Sequence, residues 1–396
     1  MKKTKNRFVM GFILGMLAMA VVVGSIGVAF YFSRDGITTK KRAISDETGS
    51  KINRIESIID AYYLEEINRE KLEEGIYKGL LSGLDDPYSV YYTAEEYQAL
   101  MEETSGKYYG VGALVSQNAE TGIITAINVF DGAPADKAGM EDNDIIYKVE
   151  DEEVTGQDLS NVVSKMKGEK GTVVNITVYR ESQNKYIDLK ITRDEINVPT
   201  IEYKMLDKKK GIGYIQISQF EEVTYDQFVE AVEDLKKQGM KAVIFDVRDN
   251  PGGLYNIVCD MLDYILPEGT IVYTKDKYGK QEYQTSDELC LDMPIVVLQN
   301  GNSASASEIF AGAIQDFEVG TIVGQQSFGK GIVQSILPLT DGSALKLTVQ
   351  NYYTPSGKNI HGKGITPDLE VATDAESEKD VQLIKAQESI EGLMKK

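Results

Sequence analysis

Three short segments of this chain combine residue types that could carry out acyl transfer. Ser303-Ala-Ser-Ala-Ser-Glu308 offers three hydroxyls. Ser327-Phe-Gly-Lys-Gly-Ile-Val-Gln334 offers an amine, Lys330, and an amide, Gln334, that could orient it. Asp246-Val-Arg-Asp-Asn-Pro-Gly-Gly253 offers backbone donors for an oxyanion. The 396 residues contain a single histidine, His361, which argues against the usual Ser–His–acid arrangement.

Each segment has a structural reading beside the catalytic one. If a helix opens at the serine run, each residue turns about 100°. Ser303 and Ser307 then share a face, and Ser305 points away from both. Ser305-Ala-Ser-Glu308 also fits a capping box, in which Ser305 merely caps a helix over Ala306–Phe317. The catalytic reading uses the same geometry, because an exposed hydroxyl at a helix start lies beside amides that can bind an oxyanion. In a strand, Lys330, Ile332 and Gln334 share a face. Lysine is a base only if burial lowers its pKa well below ~10.4. Taken alone, an edge strand facing water is the favoured account of Lys330 and Gln334. Asn250-Pro-Gly-Gly253 follows an apolar strand and precedes a helix from Leu254. Its glycines let the backbone approach a ligand and leave amides unsatisfied, as an oxyanion hole requires and as an ordinary strand-to-helix turn also does. His361, in Asn359-Ile-His-Gly-Lys-Gly364, reads as a solvated loop residue, with a conventional triad as its alternative.

Gly110-Val-Gly-Ala113 is a further candidate. A glycine loop before an exposed strand edge can take up a peptide by strand addition, with the terminal carboxylate on the loop amides. A helix over Leu159–Lys167 would form the opposite wall. Read in isolation, the loop is a simple turn.

Elements to position these residues are legible from periodicity. Between Ile52 and Met101 apolar residues recur at helical spacing, interrupted at Leu84-Asp-Asp-Pro-Tyr-Ser89, and Thr93 with Glu96 forms a capping box for the next helix. From Tyr108 the period becomes two, predicting strands at Gly112–Ser116, Ile123–Val129, Ile145–Val149, Val173–Tyr179 and Tyr186–Ile191, with a short helix in Ala133–Gly139. From Val198, apolar strands (Ile212–Ile217, Ala242–Asp246, Ile295–Gln299, Thr321–Val323, Gly331–Ile336, Leu345–Val349) alternate with helices (Tyr225–Gln238, Leu254–Ile265, Ala306–Phe317). That alternation predicts an α/β fold. The expected organisation is multidomain: a tip and anchor over 1–42, a helical region over 43–105, a compact mixed unit over 106–195, an α/β core over 196–375 and a helical tail over 376–396.

Charge bounds the partners. Residues 1–42 carry eight Lys/Arg and one acid, a net of +7, while the whole chain is −20, which leaves −27 on the rest. Such an acidic body argues against nucleic-acid binding, which needs basic patches. Phe8–Phe32 contains no charged residue, and at ~1.5 Å per residue a helix of this length exceeds the roughly 30 Å of a bilayer core. Lys2, Lys3, Lys5 and Arg7 precede it, which places the N-terminus in the cytoplasm and the body outside a membrane crossed once. A cleaved signal peptide is the competing reading. Two cysteines, Cys259 and Cys290, are too few for a disulfide framework and read as small buried residues, with one bridge as the alternative. One histidine and two cysteines also argue against a zinc site, and no metal or organic cofactor is expected.

Several motifs in joint order carry a resemblance: Leu84-Asp-Asp-Pro-Tyr-Ser89, Tyr109-Gly-Val-Gly112, Gly132-Ala-Pro-Ala-Asp-Lys-Ala-Gly139, Asp246–Gly253, Ser303–Glu308, Phe328-Gly-Lys-Gly331 and Gly364-Ile-Thr-Pro-Asp368. From about Ile52 to the tail the chain resembles the C-terminal processing peptidases, or tail-specific proteases. Asp85-Asp86-Pro87 stands where many members read Asp-Pro directly, a departure expected not to touch catalysis. The resemblance implies a helical segment, a PDZ domain over 106–195 and a ClpP/crotonase-like protease core. It implies a Ser–Lys dyad with Ser305 as nucleophile, Lys330 as base and Gln334 in support. The oxyanion donors would be the amides of Gly252 or Gly253 and of Ala306. Gly110, Val111, Gly112 and Ala113 would bind the C-terminal tails of protein substrates, and tail binding could gate the site. A homodimer is compatible with the helical ends. The alternative is a non-catalytic, membrane-tethered PDZ protein that binds peptides.

Overall fold

The computed structural model describes residues 44–373 and 379–395. The apolar segment Phe8–Phe32 lies outside the described residues, and among those described no helix is long and apolar enough to cross a membrane. Residues up to Glu73 form one unit and those from Glu74 another. The first contains α1 (Asp46–Tyr62), whose Ser45 hydroxyl accepts from the Thr48 N–H. Helix α2 (Arg69–Ser82) begins there and continues into the second unit. The expected break follows it, and then a three-residue strand absent from the sequence reading, β1 (Val90–Tyr92). Thr93 and Glu96 cap α3 (Ala94–Ser105) by the reciprocal bonds expected of them, and Gly106 ends it in the left-handed conformation.

The next unit opens and closes with paired strands, β2 (Lys107–Gly110) and β9 (Asp194–Asn197). Between them runs an antiparallel sheet in the order β3-β4-β5-β7-β8. Its strands are β3 (Ala113–Gln117), β4 (Ile124–Val129), β5 (Ile145–Val149), β7 (Val173–Arg180) and β8 (Lys185–Thr192), with β6 (Glu152–Glu153) appended to β5. Short helix α4 (Pro134–Lys137) and helix α5 (Leu159–Met166) cover it. Alternation along β7 works as period two requires: Val174, Ile176 and Val178 are buried in one core with Val162 and Met166 of α5.

The large core is built on a six-stranded sheet in the order β10-β11-β12-β15-β16-β19. Strand β10 (Ile201–Asp207) pairs antiparallel with β11 (Ile212–Ile217). From β11 through β12 (Ala242–Asp246), β15 (Ile295–Gln299), β16 (Gly320–Gly324) and β19 (Leu369–Glu370) the pairing is parallel. Both faces are covered, which is why these strands are continuous apolar runs. Val243 and Phe245 pack with α6 (Thr224–Lys237), α7 (Tyr255–Ile265) and α8 (Ala306–Asp316), whereas Ile244 packs with Ala386 and Ile390 of α9 (Val381–Leu393) on the other face. A second sheet joins β1, β18 (Ala344–Tyr353), β13 (Gly269–Asp276) and β14 (Gln281–Ser286), with β17 (Ile332–Pro338) also on β18. Both cysteines are free; Cys259 is buried as expected, but Cys290 is exposed.

Candidate active site

The chain turns sharply between β15 and α8, and Ser305 sits at the turn. Its backbone has φ +57° and ψ −114°, a conformation that costs a residue with a Cβ about 1–3 kcal/mol and persists only where surrounding bonds over-determine it. Those bonds are present. The Ser305 N–H donates to Glu308 Oε2 at 2.9 Å, and the Ser305 carbonyl accepts from the buried Tyr352 hydroxyl at 3.0 Å. Strain held in a strand–turn–helix corner is a known way of presenting a nucleophilic hydroxyl. The helix-cap reading also holds: Ser305 is the N-cap of α8 and its N–H is paired with the Glu308 carboxylate as a capping box requires, so cap and strained corner are one geometry.

The neighbouring serines are set apart by bonding, not by a shared helical face. Ser303 precedes the helix, as the range Ala306–Phe317 implies, and its buried hydroxyl donates to the Val247 carbonyl at 2.7 Å. Ser307 donates to the Asn250 carbonyl at 2.9 Å. Both therefore staple the serine turn to the loop after β12 and leave Ser305 as the hydroxyl facing the cavity.

That loop brings Gly252 and Gly253 against the serine. Both have positive φ, +111° and +141°. Neither has room for a side chain: a Cβ on Gly252 would lie 2.8 Å from the Ser305 Cβ, and one on Gly253 would lie 2.2 Å from the Phe220 oxygen. The two expected donors differ. The Gly252 N–H already donates to Asn250 Oδ1 at 2.8 Å, so it is removed from the expected pair of alternatives. Among the described residues no protein acceptor engages the Gly253 or Ala306 N–H.

Lys330 enters from the loop between β16 and β17. The expected strand face linking Lys330, Ile332 and Gln334 is not formed. Strand β17 begins at Ile332, and its register on β18 slips between Val333 and Gln334. The bulge nevertheless turns Lys330, Ile332, Val333 and Gln334 toward one cavity of about 320 Å³, shared with Ser305, Ala306, Gly252 and Gly253. Burial lowers the Lys330 pKa and the nearby Lys346 cation adds to it, against Glu308 and Asp86. Gln334 lines the cavity but donates to Thr348 Oγ1 at 3.4 Å. His361 is exposed and does not line the cavity.

Three contributors were missed in the sequence. Glu308, read there only as a capping partner, is fully buried and accepts four hydrogen bonds: from the Ser305 N–H, the Ser327 hydroxyl (2.6 Å), the Gly329 N–H (2.7 Å) and the Lys330 N–H (2.8 Å). One carboxylate thus ties the serine turn to the lysine loop. Tyr352 carries no motif and is recognisable only by its hydrogen bond to Ser305. Tyr88 lies in the Leu84–Ser89 turn, which the sequence reading gave no role at the site, yet the Lys330 Nζ stands 4.7 Å from its ring centroid. Its turn is held by Asp86, which accepts from the Tyr88 N–H and the Ser89 hydroxyl, while Ser89 accepts from the Thr348 N–H of β18. The additional Asp85 is exposed, at φ +54°.

Comparison with known proteins decides what this arrangement belongs to. Residues 211–371 match peptidase family S41, 126–180 match a PDZ domain, and 29–96 match the N-terminal domain of the activating protease CtpB. A probable CtpA-like serine protease of Staphylococcus epidermidis is 36% identical over 91% of this chain and 72% of its own length. The chain belongs to peptidase family S41. It is a serine peptidase with a PDZ domain. A carboxy-terminal-processing protease of Bartonella bacilliformis is 39% identical over 76% of this S41 chain and 70% of its own length. A putative S41 protease from Bacteroides fragilis of known structure shares the fold, with a TM-score of 0.54 at 15% identity over 84% of this chain and 93% of that one.

Proposed function

We propose that this S41 peptidase is anchored by Phe8–Phe32, acts outside the cytoplasm, and cleaves proteins near C-termini that its PDZ domain recognises. Ser305 is the nucleophile, Lys330 the base, Gln334 a support for the amine, and Gly253 with Ala306 the oxyanion donors. The observation that carries this reading is the convergence in one cavity of a strained serine, two unengaged amides and a half-buried lysine whose pKa is depressed. The neutral Lys330 amine takes the Ser305 proton as Oγ attacks the scissile carbonyl. The resulting oxyanion is held by the two amides. The ammonium returns that proton to the leaving amine, forming an ester on Ser305. A water deprotonated by Lys330 then releases the acid and regenerates Ser305.

In the resting arrangement Lys330 lies on Tyr88, and among the described residues no hydrogen bond joins its amine to the Ser305 hydroxyl. Substrate binding therefore has to draw the amine from the ring to the serine. Association of two copies through α1, whose Ile55 and Ile58 are exposed, is part of the same proposal.

The test is cleavage of an unfolded protein such as casein by the chain and by its Ser305→Ala variant. The variant is expected to lose at least about 10⁴-fold in kcat. Equal cleavage by both would remove Ser305 from the mechanism, and cleavage lost in His361→Ala but kept in Lys330→Ala would point to a histidine base.

A further inference from the structure

The groove between β3 and α5 of the PDZ domain is nearly filled by the chain itself. Its open volume is about 60 Å³, bounded by Val111 and Val115 on one side, Val163 and Met166 on the other, and Tyr108 and Lys167. Tyr108 belongs to β2, two residues before the glycine loop. Its ring covers that loop closely: a Cβ on Gly110 would lie 2.8 Å from the ring. Burial pushes the phenol pKa up to about 12, with the Gly112 and Ala113 amides acting in the opposite sense. On the outer side the Lys167 Nζ stands 5.1 Å from the ring centroid and bonds Glu102 of α3 at 3.2 Å. The ring is therefore clasped between the glycine loop and a lysine that is itself anchored.

A peptide tail that adds to a strand edge brings a carboxylate to the loop amides and an apolar side chain to the groove. Tyr108 lays an aromatic ring against the same glycine loop and the same apolar walls. We propose that Tyr108 is a built-in occupant of the tail-binding groove, which the C-terminal carboxylate of a substrate has to displace. The inference rests on the tail-binding reading of the PDZ domain given above and adds that its empty state is self-occupied. Affinity for a tail is then lowered by the fraction of molecules in which the ring is seated.

The experiment uses the full chain in detergent with Ser305→Ala, so that nothing is cut. Binding is followed by anisotropy of a labelled peptide ending in alanine, as the free acid and as the C-terminal amide. Tyr108→Ala is expected to bind the acid about tenfold tighter than the parent, with the amide remaining weak, as removal of a competing occupant requires. Tyr108→Phe keeps the ring and its packing while deleting the oxygen, and is expected to fall between the two. Acid-selective binding that neither substitution tightens overturns the self-occupied groove and leaves the PDZ reading standing. Equal binding of acid and amide by all three chains, or binding by none, overturns the tail-binding reading and the inference with it.

Discussion

The two halves of the proposed active site are built to different standards. On the nucleophile side the surround is bonded: Ser303 and Ser307 donate to the loop after β12, Glu308 accepts from the Ser305 N–H, and the Tyr352 hydroxyl donates to the Ser305 carbonyl. On the base side the Lys330 backbone is fixed by Glu308, but its amine has only the face of Tyr88. The difference teaches where adjustment resides. A strained nucleophile needs a rigid surround to persist, whereas a lysine on four rotatable carbons can be moved at little cost. On the proposed mechanism the geometry of attack is therefore set by the fold, and the availability of the base is left to a side chain.

Substitutions can break or sharpen that contrast. The largest effect after Ser305→Ala is expected from Lys330→Arg, which keeps charge and length but cannot be deprotonated. Its loss in kcat should be about 10³. In the proposed mechanism the working form is the neutral amine, present above the Lys330 pKa. Because burial lowers that pKa, the rate should rise with pH through an inflection below the ~10.4 of an ordinary lysine. An inflection at the ordinary position, in single-turnover acylation, would mean that the cavity does not tune its base.

Glu308→Gln tests whether the two halves share one support. Replacing a buried carboxylate that accepts four bonds costs about 1–3 kcal/mol. If that cost falls on the transition state, kcat drops about ten- to hundredfold at nearly unchanged KM. A change confined to melting temperature would show that Glu308 holds the fold without aligning the dyad.

The smallest effect should come from Tyr88→Leu, which removes a cation–π contact worth about 0.5–2 kcal/mol to the ammonium form. Freed of the ring, Lys330 should titrate at lower pH, and the rate near neutrality should rise a few-fold. A fall in rate with an unmoved inflection would instead make Tyr88 a wall of the substrate cavity.

Much of the scaffold was legible because it is local. Ile212–Ile217, Ala242–Asp246 and Ile295–Gln299 appear as read from their apolar runs, and the Thr93–Glu96 cap is formed. Other strands were missed, for different reasons. Gln281–Ser286 is the return strand of a local hairpin with β13 and was missed because it is mostly exposed and has no apolar face; Val90–Tyr92 exists because it lies on the distant β18. Pairing across such separations has no signature in a local window, since the stabilisation comes from the opposite strand.

The chain by itself determined the chemistry on offer: one histidine, a lysine between glycines, three serines at a helix start and a glycine corner after an apolar strand. Motif order singled out Ser305 and Lys330 before any coordinates. Only the tertiary structure decided how they are held. It withdrew Gly252 from the oxyanion pair by bonding it to Asn250, placed Lys330 ahead of its strand and on Tyr88, and drew both halves onto Glu308. The physical reason is that residue type and spacing settle which groups can react, whereas the partner of each N–H, hydroxyl and amine is chosen by segments far apart in sequence that only the folded core brings together.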